Sequence, residues 1–196
     1  MERRELLKRI ALLTGGFVIG GDLFLTGCKS GNKSDAGFTT ANIALLDEVA
    51  ETIIPTTSTP GAKAAKVGDF MKIFVTDCYT TDQQTAFTSG IVQLNEACER
   101  MNKKSFLECD PQQRKDFLIT LEKEAKPFNE IVLKQSEGKA DKAATLHYYT
   151  MMKQLTLLGF FTSKTGGTET LRHIPIPGKY DGAFPYKKGD KAWLES

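Results

Sequence analysis

The side chains best suited to metal binding or covalent chemistry are four cysteines and two histidines. They are Cys28, Cys78, Cys98, Cys109, His147 and His173. No two of the cysteines form a C-x-x-C pair, and their spacings suit neither zinc nor an iron–sulfur cluster. His147 is expected inside a helix, where a histidine is more often packed or solvated than catalytic. The G-x-G-x-x-G, Walker A and G-x-S-x-G patterns are also missing from the sequence. We therefore predict no catalytic residue, no bound cofactor and no metal site in this chain.

Cys28 has the clearest chemical role among the cysteines, because it follows Leu25-Thr26-Gly27. This pattern resembles a bacterial lipobox, in which small residues before a cysteine allow a lipid to be attached to the thiol before cleavage. Upstream, Arg3 and Arg4 begin the run Arg3-Arg4-Glu5-Leu6-Leu7-Lys8, which resembles the twin-arginine (Tat) export motif. Together the two patterns predict a lipoprotein that is exported and anchored to a membrane through Cys28.

The leader leaves two alternatives open. Leu6 replaces the usual aromatic residue of the Tat motif, so a Sec-exported lipoprotein remains an option. A buried amphipathic first helix is less favoured, because Asp22 and four glycines interrupt the apolar stretch. We predict a signal peptide over residues 1–27, a lipidated flexible tether over 28–39 and a helical domain over 40–196, located in the periplasm.

The three remaining cysteines can be read in several ways. Export favours oxidation, and Cys98 and Cys109 are the nearer pair, so a disulfide between them is one interpretation. A bridge to a partner subunit is another. Three buried free thiols that act as small hydrophobic side chains fit the sequence equally well.

The charge distribution argues against nucleic acid as a partner. The net charge is only +2, and acidic and basic residues are interspersed. Phosphate binding needs a concentrated basic stripe, and outside the leader the only basic cluster is Lys187, Lys188 and Lys191. We interpret that cluster as solvated.

Apolar residues recur at helical spacing through most of the chain. The periodicity predicts five helices, near residues 40–53, 67–79, 81–101, 110–127 and 141–159. Thr39 or Thr40 is expected to cap the first, Thr81-Asp82-Gln83-Gln84 resembles a capping box, and Pro127 is expected to limit the fourth. The predicted fold is all-α, an irregular bundle of about five helices with an extended, Pro/Gly-rich C-terminal segment.

Two stretches combine proline, glycine and small residues. In the corner segment (residues 53–67), Pro55 ends a helix and Pro60-Gly61 forms a turn. In the C-terminal segment (residue 160 onward), alternating prolines forbid a helix. We predict that both are ordered and that they supply the partner interface, with these candidate residues: Pro55, Pro60, Gly61, Phe160, Phe161, Pro177, Gly178 and Tyr180.

Three ordered motifs resemble the gluconate 2-dehydrogenase subunit 3 family. They are Ile53-Ile54-Pro55 with Thr59-Pro60-Gly61-Ala62, then Gly159-Phe160-Phe161-Thr162-Ser163, then Ile176-Pro177-Gly178-Lys179-Tyr180-Asp181-Gly182. The resemblance extends from about Ile43 to Trp193. Ala183 stands where a cysteine often follows the last motif in that family, so a disulfide through that position is not expected here.

The resemblance implies a non-catalytic small subunit that escorts a GMC-type flavoprotein through Tat export and anchors it to the membrane. The large subunit would hold FAD and oxidise a sugar or sugar acid, and a cytochrome c or another electron-carrier subunit would take the electrons. The alternative is a stand-alone periplasmic lipoprotein that acts as an interaction or binding module.

Overall fold

A computed structural model describes residues 38–136, 144–174, 176, 178 and 181–194. The predictions for Arg3, Arg4, Cys28, Pro177 and Tyr180 lie outside the described residues. Within the described ranges the chain folds into five α-helices and no strand, which confirms the all-α prediction. None of these helices is both long enough and apolar enough to cross a bilayer.

The helices are joined by connections that range from the two residues between α2 and α3 to the thirteen residues between α1 and α2. They are α1 (Thr40–Ile53), α2 (Val67–Cys78), α3 (Thr81–Asn102), α4 (Pro111–Ser136) and α5 (Tyr148–Thr162). A 3-10 turn, Phe106–Glu108, lies between α3 and α4, and a π-helical turn, Thr165–Thr170, follows α5. α5 contacts each of the other four α-helices, so it is the central element of the core.

The local start signals of two helices agree with the sequence. Thr39 caps α1 by accepting a hydrogen bond from the Asn42 N–H at 3.2 Å. Asp110 accepts from the Gln113 N–H at 2.9 Å at the start of α4. The capping box of α3 lies one residue earlier than predicted, because Thr80, and not Thr81, exchanges hydrogen bonds with Gln83.

The prediction that Pro127 limits the fourth helix is wrong, since α4 continues through it to Ser136. A proline inside a helix removes one backbone hydrogen bond and costs about 3 kcal/mol. Tertiary contacts beyond the proline oppose this cost. Asn129 accepts from the His147 N–H at 2.9 Å and donates to Thr150 Oγ1 at 2.8 Å, which ties the end of α4 to the start of α5.

Both predicted ends of the last helix are also wrong. Residues 144–147 are not helical, and α5 begins at Tyr148 with His147 as its cap rather than as a mid-helix residue. At the other end α5 runs on through Phe160 and Phe161. Gly159 does not end the helix. Instead it admits the Phe70 ring, whose Cδ1 would lie 2.5 Å from a Cβ at this position.

The core draws on all five helices. Each helix contributes at least one fully or almost fully buried side chain, for example Leu46, Met71, Leu94, Leu121 and Phe160 in chain order. α3 and α5 approach each other closely at Gly90, where an added Cβ would lie 2.2 Å from the Tyr148 Cβ. Apolar burial of this kind contributes roughly 25 cal/mol per Å² and is the main stabilising term in such a bundle.

Candidate functional site

The corner segment is an ordered turn held by one carboxylate of α1. Glu51 accepts hydrogen bonds from the N–H and the hydroxyl of Thr56 at 2.8 and 2.7 Å. Its second oxygen accepts from the Lys63 N–H at 2.9 Å. The Ala62 N–H donates to the Ile54 carbonyl at 2.9 Å and closes the loop. The corner is therefore ordered as predicted, but by contacts to α1, the helix that precedes it.

Gly61 belongs to this packing rather than to a surface. It is buried, and a Cβ there would lie 2.4 Å from the Glu51 carboxylate and 2.6 Å from the Thr56 backbone nitrogen. The side of the loop on which Gly61 lies therefore has no space for a partner protein. Of the other two predicted interface residues here, Pro55 is exposed and Pro60 is half-buried.

Two neighbouring acidic residues of α1 contact the elements around the corner segment. Asp47 accepts from the Gly68 N–H at 2.8 Å and so caps α2, whose own cap residue Lys66 is left-handed and supplies no side-chain hydrogen bond. Burial raises the pKa of Asp47, and the hydrogen bond from Gly68 opposes this effect.

Glu48 forms the second of these contacts through ion pairs with Lys63 and with Arg114, the latter at 2.5 Å. Burial acts to raise the pKa of Glu48, but the two cations outweigh it and hold that pKa below its ordinary value. Arg114 also donates to the carbonyls of Phe106 and Leu107 at 3.0 and 2.7 Å. Glu48 thus joins α1 to the corner, to α4 and to the 3-10 turn.

The C-terminal segment begins inside the fold. Phe160 is 1% exposed and packs in the chain's own core, so the prediction that it faces a partner is wrong for this side chain. Phe161, its neighbour in α5, is 38% exposed. The Gly166-Gly167 pair lies in the π-helical turn, and a Cβ at Gly166 would lie 2.0 Å from the Phe160 carbonyl oxygen.

Beyond the π-helical turn the chain returns and pairs with itself. The Arg172 N–H donates to the Ala192 carbonyl at 2.8 Å, and the Leu194 N–H donates to the Arg172 carbonyl at 3.0 Å. The Arg172 guanidinium lies 5.4 Å from the Phe184 ring centre and 4.7 Å from that of Trp193. The two rings meet edge to face at 5.5 Å. We call Arg172, Phe184 and Trp193 the C-terminal cluster.

Large apolar side chains of the C-terminal segment are open to solvent. Ile176 is 84% exposed and Tyr186 is 77% exposed, while Ile174, Phe184 and Trp193 are each close to half exposed. Gly178, one of the predicted interface residues, is also exposed, and no described residue lies within 4 Å of a Cβ added there. Exposed apolar side chains also occur on the helices, for example Ile73 and Ile131, but the two most exposed ones belong to the C-terminal segment.

His147 has a structural role at the start of α5. Its Nδ1 accepts a hydrogen bond from the Tyr149 N–H at 3.3 Å. Its ring meets Phe128 edge to face at 5.6 Å and lies 4.3 Å from the Tyr148 ring. Burial lowers the pKa of His147, which favours the neutral ring that this cap requires. No nucleophile is placed against it in these contacts.

The cysteine pair predicted from the sequence is brought together in space. The sulfur atoms of Cys98 and Cys109 lie 3.5 Å apart and both side chains are buried, whereas Cys78 is exposed. All three are free thiols in the structure. The disulfide itself stays a prediction.

Metal-binding side chains are not clustered in the described part of the chain. No group of three or more His, Cys, Asp or Glu side chains there is placed to hold a metal ion. Two surface depressions have volumes of about 300 and 200 Å³. The larger is lined by residues including Arg100, Met101, Phe117 and Glu124.

These features define a class of protein: a small helical bundle that carries exposed apolar side chains in its C-terminal segment. The particular family follows from a sequence comparison. A model of the Gluconate 2-dehydrogenase subunit 3 family matches residues 40–178, and the chain belongs to this family. The match covers the corner segment and ends within the third of the resembling motifs. By the name of its family, the chain is an accessory subunit of a dehydrogenase complex. Searches of curated proteins and of solved structures returned no match.

Proposed function

We propose that this chain is the non-catalytic small subunit of a dehydrogenase complex, which escorts a GMC-type flavoprotein through export and anchors it to the membrane. The large subunit would hold FAD and oxidise a sugar or sugar acid. A cytochrome c or another carrier would accept the electrons. The observation that carries the proposal is the family match over residues 40–178.

The exposed apolar surface supports a docking role. Ile176 and Tyr186 are more than three-quarters exposed, and the C-terminal cluster places two aromatic rings beside an arginine. Aromatic residues and arginine are the side chains most enriched among binding hot spots in protein interfaces. We propose that this surface contacts the flavoprotein. The corner segment would then hold the fold together.

The leader supports the escort and anchoring roles. Arg3 and Arg4 would direct Tat export, which carries folded proteins, so a docked flavoprotein would cross with its FAD in place. Cys28 would carry the lipid, and residues 28–39 would tether the domain to the periplasmic face of a membrane.

Co-expression with the large subunit tests the escort role. Replacement of Arg3 and Arg4 by lysine should leave the flavoprotein in the cytoplasm, whereas Arg9→Lys in the same leader should not. For the anchor, Cys28→Ala should release the complex from the membrane fraction, with Cys78→Ala as the matched control. Dehydrogenase activity in each fraction reports the location.

Two outcomes would contradict the proposal. If the flavoprotein reached the periplasm equally well without this chain, the escort role would be wrong. If the chain purified alone and stayed monomeric when mixed with the flavoprotein, the alternative of a stand-alone lipoprotein module would be favoured.

A further inference from the structure

The connection between α3 and α4 brings two buried thiols into contact. Cys98 lies one turn before the end of α3, and Cys109 follows the 3-10 turn. Their sulfur atoms are 3.5 Å apart, and the side chains are 0% and 4% exposed. We propose that Cys98 and Cys109 form a disulfide that locks the α3–α4 connection when the chain meets an oxidising compartment. In the cell, formation of this disulfide rests on the proposed export, whereas the test with the purified chain does not depend on export.

The backbone on both sides of the pair is already fixed by other contacts. The Phe106 N–H donates to Asn95 of α3 at 3.1 Å, and Arg114 of α4 holds the carbonyls of Phe106 and Leu107. Lys103, the cap residue directly after α3, is left-handed, which turns the chain back toward Cys98. The two sulfur atoms are therefore held near each other, and small side-chain rotations can bring them to the bonding distance of about 2.05 Å.

The surroundings favour a disulfide over the other uses of paired thiols. The polar neighbour of the pair is the Asn102 amide, which donates to the Cys98 sulfur at 3.5 Å. The described residues offer the pair no third ligand with which to hold a metal. Cysteines that served only as small apolar side chains would not need their sulfur atoms to face each other across an 11-residue separation.

The oxidant is another disulfide, which belongs either to an oxidised small thiol such as oxidised glutathione or to an oxidising protein. One cysteine, as its thiolate, attacks that disulfide and forms a mixed disulfide, and one thiol leaves. The second cysteine then displaces the other thiol and forms the Cys98–Cys109 bond. The two cysteines lose two electrons and two protons, and the incoming disulfide gains both as two thiols.

The structure also predicts how fast this reaction proceeds. Burial raises the pKa of the Cys98 thiol to about 11, so little thiolate forms in the closed structure. Oxidation of the folded chain should be slow, and oxidation during refolding should be fast. Once formed, the bond should be protected from reductants by the same burial.

Peptide mapping of the full-length chain tests the proposal. A Cys78→Ala background removes the exposed thiol, which would otherwise share the tryptic peptide 73–100 with Cys98. The chain is incubated with oxidised and reduced glutathione, both in its native state and during refolding from denaturant, and is then alkylated and digested. The expected product is a link between peptides 73–100 and 105–114 that dithiothreitol breaks. The oxidised chain should also unfold at a higher urea concentration than the reduced chain.

Two variants complete the test. Cys98→Ala and Cys109→Ala should each abolish the linked peptides and remove the difference between the two unfolding midpoints. The proposal is overturned if both cysteines are alkylated after oxidative refolding under conditions in which glutathione modifies Cys78 of the unsubstituted chain. That result would leave the co-export experiment unaffected, so the two proposals fail separately.

Discussion

The corner segment and the end of the C-terminal segment have similar compositions but opposite environments. Both are rich in proline, glycine and small residues, and both lie outside the α-helices. In the corner, Gly61 is buried and three acids of α1 bind the surrounding backbone and side chains. In the C-terminal segment, Ile176 and Tyr186 lie in solvent, and a Cβ added at Gly178 would meet no described residue within 4 Å. Composition predicts a turn in each case, and the partners supplied by the rest of the fold decide whether the turn is structural or free to bind.

The substitution that separates the two regions most strongly is Gly61→Ala. A Cβ at Gly61 would overlap the Glu51 carboxylate and the Thr56 backbone, and the latter cannot move without opening the loop. We expect a loss of about 3 kcal/mol in the free energy of unfolding, measured by urea denaturation. The matched variant Gly178→Ala meets no atom within 4 Å and should change stability by less than about 0.5 kcal/mol. Equal effects would mean that the corner is not held from within.

Glu48→Gln tests whether the partly buried ion pairs around the corner stabilise the fold more than an exposed ion pair does. The substitution leaves the Arg114 guanidinium, which is only 17% exposed, without its carboxylate. We expect a loss of about 2 kcal/mol at neutral pH. Glu96→Gln is the control, because its pair with Arg100 is 3.9 Å long and exposed, and its loss should be barely measurable.

The pH dependence of this contribution has a definite sign. The folded-state pKa of Glu48 is lower than its unfolded value, so the stabilisation is complete above the unfolded value, near 4.5. It is lost as the pH falls through the lowered folded-state pKa. The difference in stability between the unsubstituted chain and Glu48→Gln should therefore shrink on acidification. A difference that stayed constant down to strongly acidic pH would argue against the ion pairs as its source.

The two histidines extend the comparison, since His147 is packed and His173 lies exposed in the C-terminal segment. Burial lowers the folded-state pKa of His147 below 6.5, so the unfolded chain binds its proton first. Stability should be full above about pH 6.5 and should fall as the pH drops toward the lowered folded-state pKa. His147→Asn keeps a capping acceptor and should flatten this part of the profile, at a cost of at most about 1 kcal/mol at pH 8. A pH profile that His147→Asn left unchanged would mean that the buried ring of His147 is not its source.

Local chemistry explains why some of this could be predicted from the sequence. The caps at Thr39 and Asp110 depend on residues within three positions, and the apolar stripes depend on one helix at a time. The sequence predictions failed where the deciding contacts join residues that are farther apart in the chain. Glu51 reaches Lys63, and Asn129 reaches His147 and keeps α4 helical past Pro127.

Burial of the two motif residues Gly61 and Phe160 could not be seen from the sequence for the same reason. A Pro-Gly pair and a Phe-Phe pair are compatible with either a core or an interface. Only the packing partners, Glu51 for the first and the surrounding helices for the second, assign these residues to the core. The three motifs of this chain therefore mix residues that build the fold with residues that remain on the surface.

The smallest effect on stability should come from the surface that we propose for docking. Ile176→Ser and Tyr186→Ser remove side chains that are already in water, so each should change the free energy of unfolding by less than about 0.5 kcal/mol. If these side chains enter pockets on the flavoprotein, the double variant should weaken the complex by about 2 kcal/mol or more, a loss of roughly thirtyfold in affinity. The control is Ile73→Ser on α2, which removes an apolar group of similar exposure at 61% but lies outside the C-terminal segment. Titration of purified flavoprotein with each variant would distinguish them. A complex weakened equally by Ile73→Ser would mean that general surface hydrophobicity, and not the C-terminal segment, recruits the partner.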